Sequence, residues 1–336
     1  MKEASLYEKL SGNKVRCYLC NHRCVISEDS KGMCGVRQNR EGTLISLVYD
    51  RVIARHIDPI EKKPLFHFLP GSGSYSIATA GCNFKCSFCQ NSDISQMPND
   101  LGQIFGEPLS PEEIVQEASS GNAATIAYTY TEPTVYYELA SETARIASSK
   151  GIRNVFVSNG YMSEECLDDI SGYLHAANID LKSFSDDFYK NQCGARLEPV
   201  LNTIKKMVEM GVWLEITTLL IPGLNDSEPE LEKIAEFIFQ QSPEIPWHIS
   251  RFHPTYKLNN IPSTPAEKIQ RAKEIGYSAG LKYVYTGNLP GNDGEKTCCH
   301  NCGQLLIDRY GFHVRGNYLK KGRCFMCRTH IPGVWS

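Results

Sequence analysis

The cysteines constrain this chain more than any other feature. Most of the fourteen fall into three short clusters, around Cys17 to Cys34, Cys82 to Cys89 and Cys298 to Cys327. Any fold must bring each cluster to a point. Disulfides would explain such bunching in a short secreted chain, but this one has 336 residues, and Lys2, Glu3, Glu8 and Lys9 interrupt the apolar positions between Met1 and Gly12 where an export signal would need an unbroken run. Metal ligation by reduced thiols in the cytoplasm is the expectation. No apolar stretch approaches the roughly 20 residues that span a bilayer, so no membrane role is expected.

The first cluster reads Cys17-x2-Cys20-x3-Cys24-x9-Cys34, with Gly32 and Gly35 permitting a tight return. Four thiolates make a closed site, and zinc or a second iron-sulfur cluster both fit, zinc being the first choice. The last cluster reads Cys299-x2-Cys302 and Cys324-x2-Cys327, the paired knuckles of a zinc ribbon; Cys298 could replace Cys299, but the spacing favours Cys299. Around this ribbon, residues 296–336 carry seven Lys/Arg against one acid, Asp308, within a chain of net charge -3. Arg309, Arg315, Lys320, Lys321, Arg323 and Arg328 read first as solvated surface, with RNA or an acidic protein as alternative partners; the overall charge makes nucleic acid the weaker one.

Between the flanking clusters, β-rich runs recur at Tyr75–Thr79, Thr125–Tyr130, Val155–Ser158, Ala177–Leu181, Val212–Leu220, Trp247–Phe252 and Tyr283–Tyr285. Helical patterns separate them. Ser110 and Pro111 start one as N-cap and first residue, Pro133 opens the next, and Gly151 stands where a left-handed C-terminal cap belongs. Further helices are expected over Glu164–Tyr173, Val200–Met210, Glu228–Gln240 and Pro265–Ala279. This alternation predicts an α/β fold with a parallel sheet, barrel or doubly wound, whose chemistry sits at the C-terminal strand ends. The organisation expected is an N-terminal Cys-rich segment over 1–73, a core over 74–294 and a zinc-ribbon-like domain over 295–336.

Directly after the first central strand, Gly81 opens Cys82-x3-Cys86-x2-Cys89. Three thiolates leave one iron of a cubane open to bind and activate a ligand, whereas a plain electron carrier wants four. A zinc site with a distant fourth ligand is the alternative, although zinc frameworks favour paired knuckles. On this motif the chain resembles the radical SAM (S-adenosylmethionine) superfamily. It is more specifically similar to the AmmeMemoRadiSam system radical SAM enzymes, relatives of pyruvate formate-lyase activating enzymes, through Asp58 to Pro64, Gly81 to Asn91, Tyr128 to Pro133 and Pro222 to Asp226.

The resemblance implies a partial (β/α)6-type barrel, a [4Fe-4S] cluster on Cys82, Cys86 and Cys89, and SAM on its open iron. Reductive cleavage would give a 5′-deoxyadenosyl radical that abstracts hydrogen, an oxidoreductase chemistry carried mostly by the cofactor. It further implies that Glu132 reads the methionine ammonium and that Ser158 and Asn159 meet the ribose. Lys182 would bind the carboxylate or the substrate beside Asp180, and Ile221 and Pro222 would hold adenine. Without the resemblance, Glu132 could simply favour a helix start, Ser158-Asn159 could be a polar turn, and Asp180 with Lys182 a plain ion pair.

His248, Arg251 and His253 near the sixth strand end could contact substrate, and Cys166 and Cys193 read as plain buried or loop thiols, with a radical-relay cysteine as the alternative. A reducing electron donor is needed, and the family name implies partner proteins, one of which could be the substrate as in glycyl-radical activation. Two readings of other classes compete: a zinc-ribbon module binding nucleic acid or protein, and a two-cluster electron carrier without SAM chemistry.

Overall fold

The computed structural model describes residues 2–289 and 293–336; Met1, at the start of the expected N-terminal segment, and residues 290–292, near the end of the expected core, lie outside it. Seven parallel strands organise the centre: β1 (Gly73–Thr79), β2 (Thr125–Tyr128), β3 (Arg153–Ser158), β4 (Ala176–Asp180), β5 (Trp213–Leu220), β6 (Trp247–Arg251) and β7 (Val284–Gly287). Each is hydrogen-bonded to the next in sequence, with no reversal of order. Six helices make the crossovers: α1 (Pro111–Ser120), α2 (Tyr137–Ser149), α3 (Glu164–Ile170), α4 (Leu197–Glu209), α5 (Glu228–Gln241) and α6 (Ala266–Ser278). β2 is buried along its whole length, as strands covered on both faces are.

Local chemistry explains the element boundaries. Ser110 accepts from the Glu113 backbone while the Glu113 side chain accepts from the Ser110 backbone, a closed capping box with Pro111 at the first helical position. Gly151 takes φ +74, the left-handed conformation that ends α2. Pro133 opens a 3-10 turn over Pro133–Tyr136 before α2 begins.

The expected boundary at residue 73 is corrected by the sheet itself. Arg51–Pro59 pairs antiparallel with β1 and in turn with Glu107–Pro108, so the sheet begins well before residue 73. Otherwise β1 would present a row of unpaired backbone groups. Ahead of it, two three-stranded antiparallel sheets carry the first cysteine cluster. The C-terminal residues form a third, from Thr297–Cys298, Leu305–Tyr310 and His313–Asn317.

That ribbon shares a core with the strands: Phe66, Tyr283 and Tyr285 pack with Leu306, Ile307 and Ile331. Arg309 corrects the expectation of a solvated basic tail. It is fully buried, donates to the Phe66 carbonyl at 2.6 Å and to Thr297 Oγ1 at 2.7 Å, and lies 3.4 Å from Glu61.

His67 stitches the same junction. Its Nδ1 donates to the Pro332 carbonyl at 2.7 Å, and its Nε2 is hydrogen-bonded with the Tyr285 hydroxyl at 2.6 Å. Burial pulls its pKa down to about 4, partly opposed by the Glu215 carboxylate. The unfolded chain therefore binds a proton that the folded chain refuses between about pH 6.5 and 4, so stability is full above that window and declines as pH falls through it. About 2 kcal/mol should be lost by pH 5. Denaturant midpoints at pH 7 and pH 5 check this against His67→Gln, which should lack that part of the decline; equal declines would reject it.

Candidate active site

The cysteine loop leaves β1 through Gly81, whose φ is +103 and where an added Cβ would stand 2.6 Å from Val36 Cγ1. Glycine is required twice over, for conformation and for this close approach. The loop's shape is then fixed by hydrogen bonds of the chain itself. The Lys85 and Ser87 amides donate to the Cys193 and Gln192 carbonyls at 2.8 and 2.9 Å, and Gln96 Nε2 donates to the Phe84 carbonyl at 2.9 Å. Asn159 Nδ2 donates to Asn83 Oδ1 at 2.7 Å, and Ser95 Oγ lies 3.2 Å from Cys89 Sγ.

Cys82, Cys86 and Cys89 line one cavity of about 560 Å³. Glu132, Ser158, Asn159, Asp180 and Lys182 line it too, so the structure brings seven strand-end polar groups and thiols, from β1 to β4, plus Glu132 to a common space. The three thiols and the room beside them fit an iron-sulfur cluster with one open iron.

Glu132 caps the 3-10 turn opened by Pro133, the helix-start role its sequence allowed, and reaches beyond it. Its Oε1 accepts from the Thr134 amide at 3.1 Å, Thr134 Oγ1 at 2.5 Å and Ser158 Oγ at 2.8 Å, and its Oε2 accepts from the Asn159 amide at 2.8 Å. A carboxylate offers about four acceptor positions. Three of the chain's own donors sit on Oε1 and one on Oε2, so Glu132 ties the turn after β2 to the turn after β3 while lining the cavity. Burial pushes its pKa up, against the lowering effect of these donors.

Asp180 and Lys182 do meet, at 2.8 Å, with Lys182 the more enclosed. Burial pulls Lys182 down, but the Asp180 carboxylate, with Cys86 and Cys193 beside it, holds its pKa well above the usual lysine value. The Lys182 ammonium thus stands charged at the edge of the thiol cluster.

Ile221 and Pro222 are not among the cavity's lining residues; Thr217 and Leu219 of β5 are. Alternation along the strand puts positions 217 and 219 on one face. Beyond the strand end, Asn225 Oδ1 accepts from the Ile221 amide at 2.7 Å and folds the chain back, leaving Ile221 fully buried. His248 lines the cavity and its Nε2 donates to Glu215 at 2.6 Å, whereas Arg251 is spent on the Thr264 carbonyl and His253 on Ser263, both away from the cavity.

Two features escaped sequence reasoning. Cys193, read as a plain thiol, lies beside Cys86; nothing near it in sequence signals this. Lys62, Lys63 and Tyr130 line the cavity gathered on Asp58, which takes them at 2.9, 2.7 and 2.5 Å. Burial lowers Lys63 to about 8 despite that partner. The Asp58 to Pro64 stretch was conspicuous as a motif but carried no role.

The flanking clusters differ in spacing. The four sulfurs of Cys299, Cys302, Cys324 and Cys327 lie within 4.8 Å of one another, with Cys299 to Cys327 at 3.6 Å and Cys302 to Cys324 at 3.7 Å. This can hold a metal ion, and Cys298, which is exposed, stands outside it. Cys17, Cys24 and Cys34 neighbour Cys20, but among the described residues only the C-terminal group closes to that spacing. Glu295 and Phe312, from either end of the ribbon's first hairpin, reach the cavity wall.

Comparison with known proteins adds to this geometry. The Radical SAM superfamily matches residues 76–238. An uncharacterised protein of Methanocaldococcus jannaschii is 47% identical over 99% of this chain and 100% of its own length. Another protein of that organism, provisionally named a glycyl-radical enzyme activating enzyme, is 28% identical over 63% of this chain and 79% of its own. In structure, a radical SAM methyltransferase from Sphaerobacter thermophilus superposes with a TM-score of 0.52 at 18% identity, covering 71% of each chain, a likeness of fold. No helix among the described residues is long and apolar enough to cross a membrane.

Proposed function

The chain belongs to the radical SAM superfamily and is related to its activating enzymes, and from that premise we propose that it cleaves SAM reductively at a [4Fe-4S] cluster held by Cys82, Cys86 and Cys89. The bound cluster supplies the electron that breaks a carbon-sulfur bond of SAM, giving methionine and a 5′-deoxyadenosyl radical that abstracts hydrogen from substrate. The observation that carries this reading is the convergence of the three thiols with Ser158, Asn159, Asp180 and Lys182 on one cavity.

Lys182, charged and fixed by Asp180, holds the carboxylate of SAM's methionine. Glu132 holds Ser158 and the Asn159 backbone in place and so fixes the turn after β3, the position assigned to the ribose, and Thr217 and Leu219 line the β5 side of the cavity. The apolar walls exclude water from the radical. The substrate class we assign is a glycine-bearing segment of a partner protein, supported by the relative named for activating glycyl-radical enzymes. A partial (β/α)6-type barrel, supported by sequential strand order and a shared cavity at the strand ends, is the shape we assign to the sheet.

Zinc is the metal we assign to Cys299, Cys302, Cys324 and Cys327. Sulfurs on one tetrahedral ion at about 2.3 Å stand somewhat under 4 Å apart, and the two measured pairs agree at 3.6 and 3.7 Å. A reducing cytoplasm suits the free thiols.

Anaerobic reconstitution with iron and sulfide, reduction by dithionite and quantification of 5′-deoxyadenosine and methionine test the reading. Equal amounts of both products are expected. A protein with its full cluster content that leaves SAM intact would sink it and favour the electron carrier; a protein that takes up no cluster would favour the zinc-ribbon binding module.

A further inference from the structure

We propose that Lys62 and Lys63, held by Asp58 and Tyr130, form a subsite of the cavity for a carboxylate of the substrate. Its source is an acidic side chain next to the glycine of the partner segment, or the acid group of a small molecule. The proposal rests on the reading above only in taking the second occupant of the cavity to be the substrate.

The first ground is charge. Asp58 Oδ1 accepts from Lys62 Nζ at 2.9 Å, and its Oδ2 accepts from Lys63 Nζ at 2.7 Å and from the Tyr130 hydroxyl at 2.5 Å. Two ammonium groups on one carboxylate leave one positive charge over. Lys62, Lys63 and Tyr130 line the cavity while Asp58 is not among its lining residues, so the excess faces inward. Other charges of the wall are matched: Lys182 by Asp180 at 2.8 Å, Glu61 by Arg309 at 3.4 Å, and Glu132 by its donors from Thr134, Ser158 and Asn159. Burial pushes Glu295 up, toward its neutral form.

The second ground is the count of donors. An ammonium carries three N–H groups, so the two lysines present six, of which Asp58 takes two. Among the described residues neither Nζ has another hydrogen-bond partner. The Lys63 side chain is 1% exposed, with its Nζ 4.7 Å from the centre of the Tyr130 ring, and forms the fixed floor; the Lys62 side chain, 42% exposed, can turn its donors to a ligand. A carboxylate matches the single excess charge. A phosphate dianion would overshoot it by one in a half-enclosed site.

The third ground is placement. Tyr130 has φ +62, a left-handed conformation that a bulky side chain rarely adopts. Its hydroxyl is fixed on Asp58, and its carbonyl accepts at 2.8 Å from Asn91 Nδ2, two residues after Cys89. This strained turn ties the lysine pair to the cysteine loop, so a substrate anchored at Lys62 shares the cavity of the three thiols.

Anaerobic calorimetry on the reconstituted, oxidised protein with SAM bound tests the subsite. The probes are blocked tripeptides in which aspartate precedes or follows glycine, their asparagine counterparts, propionate and inorganic phosphate. An aspartate peptide should bind about tenfold more tightly than its asparagine counterpart, and propionate should compete with it. Lys62→Met should erase the preference and Lys62→Arg should restore it, with SAM affinity parental in both. Lys62 is half-exposed and Asp58 keeps Lys63 and Tyr130, so these variants should fold.

A preference that survives Lys62→Met would overturn the proposal, as would phosphate binding more tightly than propionate. Loss of SAM affinity in Lys62→Met would hand the lysines to SAM's own carboxylate and overturn it equally. Propionate bound through Lys62 without any peptide preference would uphold the subsite for a small acid and remove the partner segment. Binding is read without turnover, so the subsite can stand where SAM cleavage fails, and the reverse.

Discussion

Cys86→Ala should lose SAM cleavage at least about a thousandfold, because the electron that breaks the carbon-sulfur bond comes from a cofactor that no side chain can replace. Cys86 sits mid-loop, with the Lys85 and Ser87 amides on either side clamped to Cys193 and Gln192. The loop should therefore keep its path in the variant, and the defect should be one of ligation. Iron analysis should show the loss of one cluster, and circular dichroism should be unchanged. Cys298→Ala is the matched control, since that thiol is exposed and outside the C-terminal group; it should cleave SAM at the parental rate. Parental cleavage by Cys86→Ala would remove the central motif from the chemistry altogether.

Stripping metal from the C-terminal group, by chelation or by Cys324→Ser, should unfold the ribbon. Its three short strands form a unit of some forty residues, a size at which a core alone seldom suffices. A structural zinc ion contributes on the order of 10 kcal/mol. The damage should spread inward. Losing the ribbon withdraws Arg309 from Glu61, and a buried carboxylate left without its partner costs roughly 3–5 kcal/mol. It also uncovers Phe66, Tyr283 and Tyr285 and takes Phe312 out of the cavity wall. Limited proteolysis with mass spectrometry should find new cleavage after residue 295 once zinc is released, together with weaker SAM cleavage. A tail that stays protease-resistant without metal would show that packing alone holds it.

The alternation of strands and helices was legible because its punctuation is local. Ser110, Pro111, Glu113 and Gly151 act on the turns they occupy. The central thiols were legible for the same reason, since three ligands in eight residues declare themselves by spacing. What sequence could not supply was direction and partnership. Ile221 and Pro222 were placed at adenine by family resemblance, while the side-chain alternation of β5 and the Asn225 turn bring Thr217 and Leu219 to the cavity wall. Only the helix-capping half of Glu132's role was legible, because two of its four donors, from Ser158 and Asn159, lie a full βα unit away. Cys193 reaches Cys86 across more than a hundred residues of chain, and Arg309 finds Glu61 across 248. Arg51–Pro59 joined the sheet because an uncovered edge needed a partner, a demand that no window of its own sequence displays.

The backbone clamp between the cysteine loop and the Gln192-Cys193 turn bears on how the protein survives air. A socket shaped by amide-carbonyl bonds keeps its form when oxygen strips the iron, so the damaged chain need not refold or be replaced. Supplying iron, sulfide and reducing equivalents should restore it in place, and recovery after an oxidative episode would then be limited by the cell's cluster-assembly supply instead of by new synthesis.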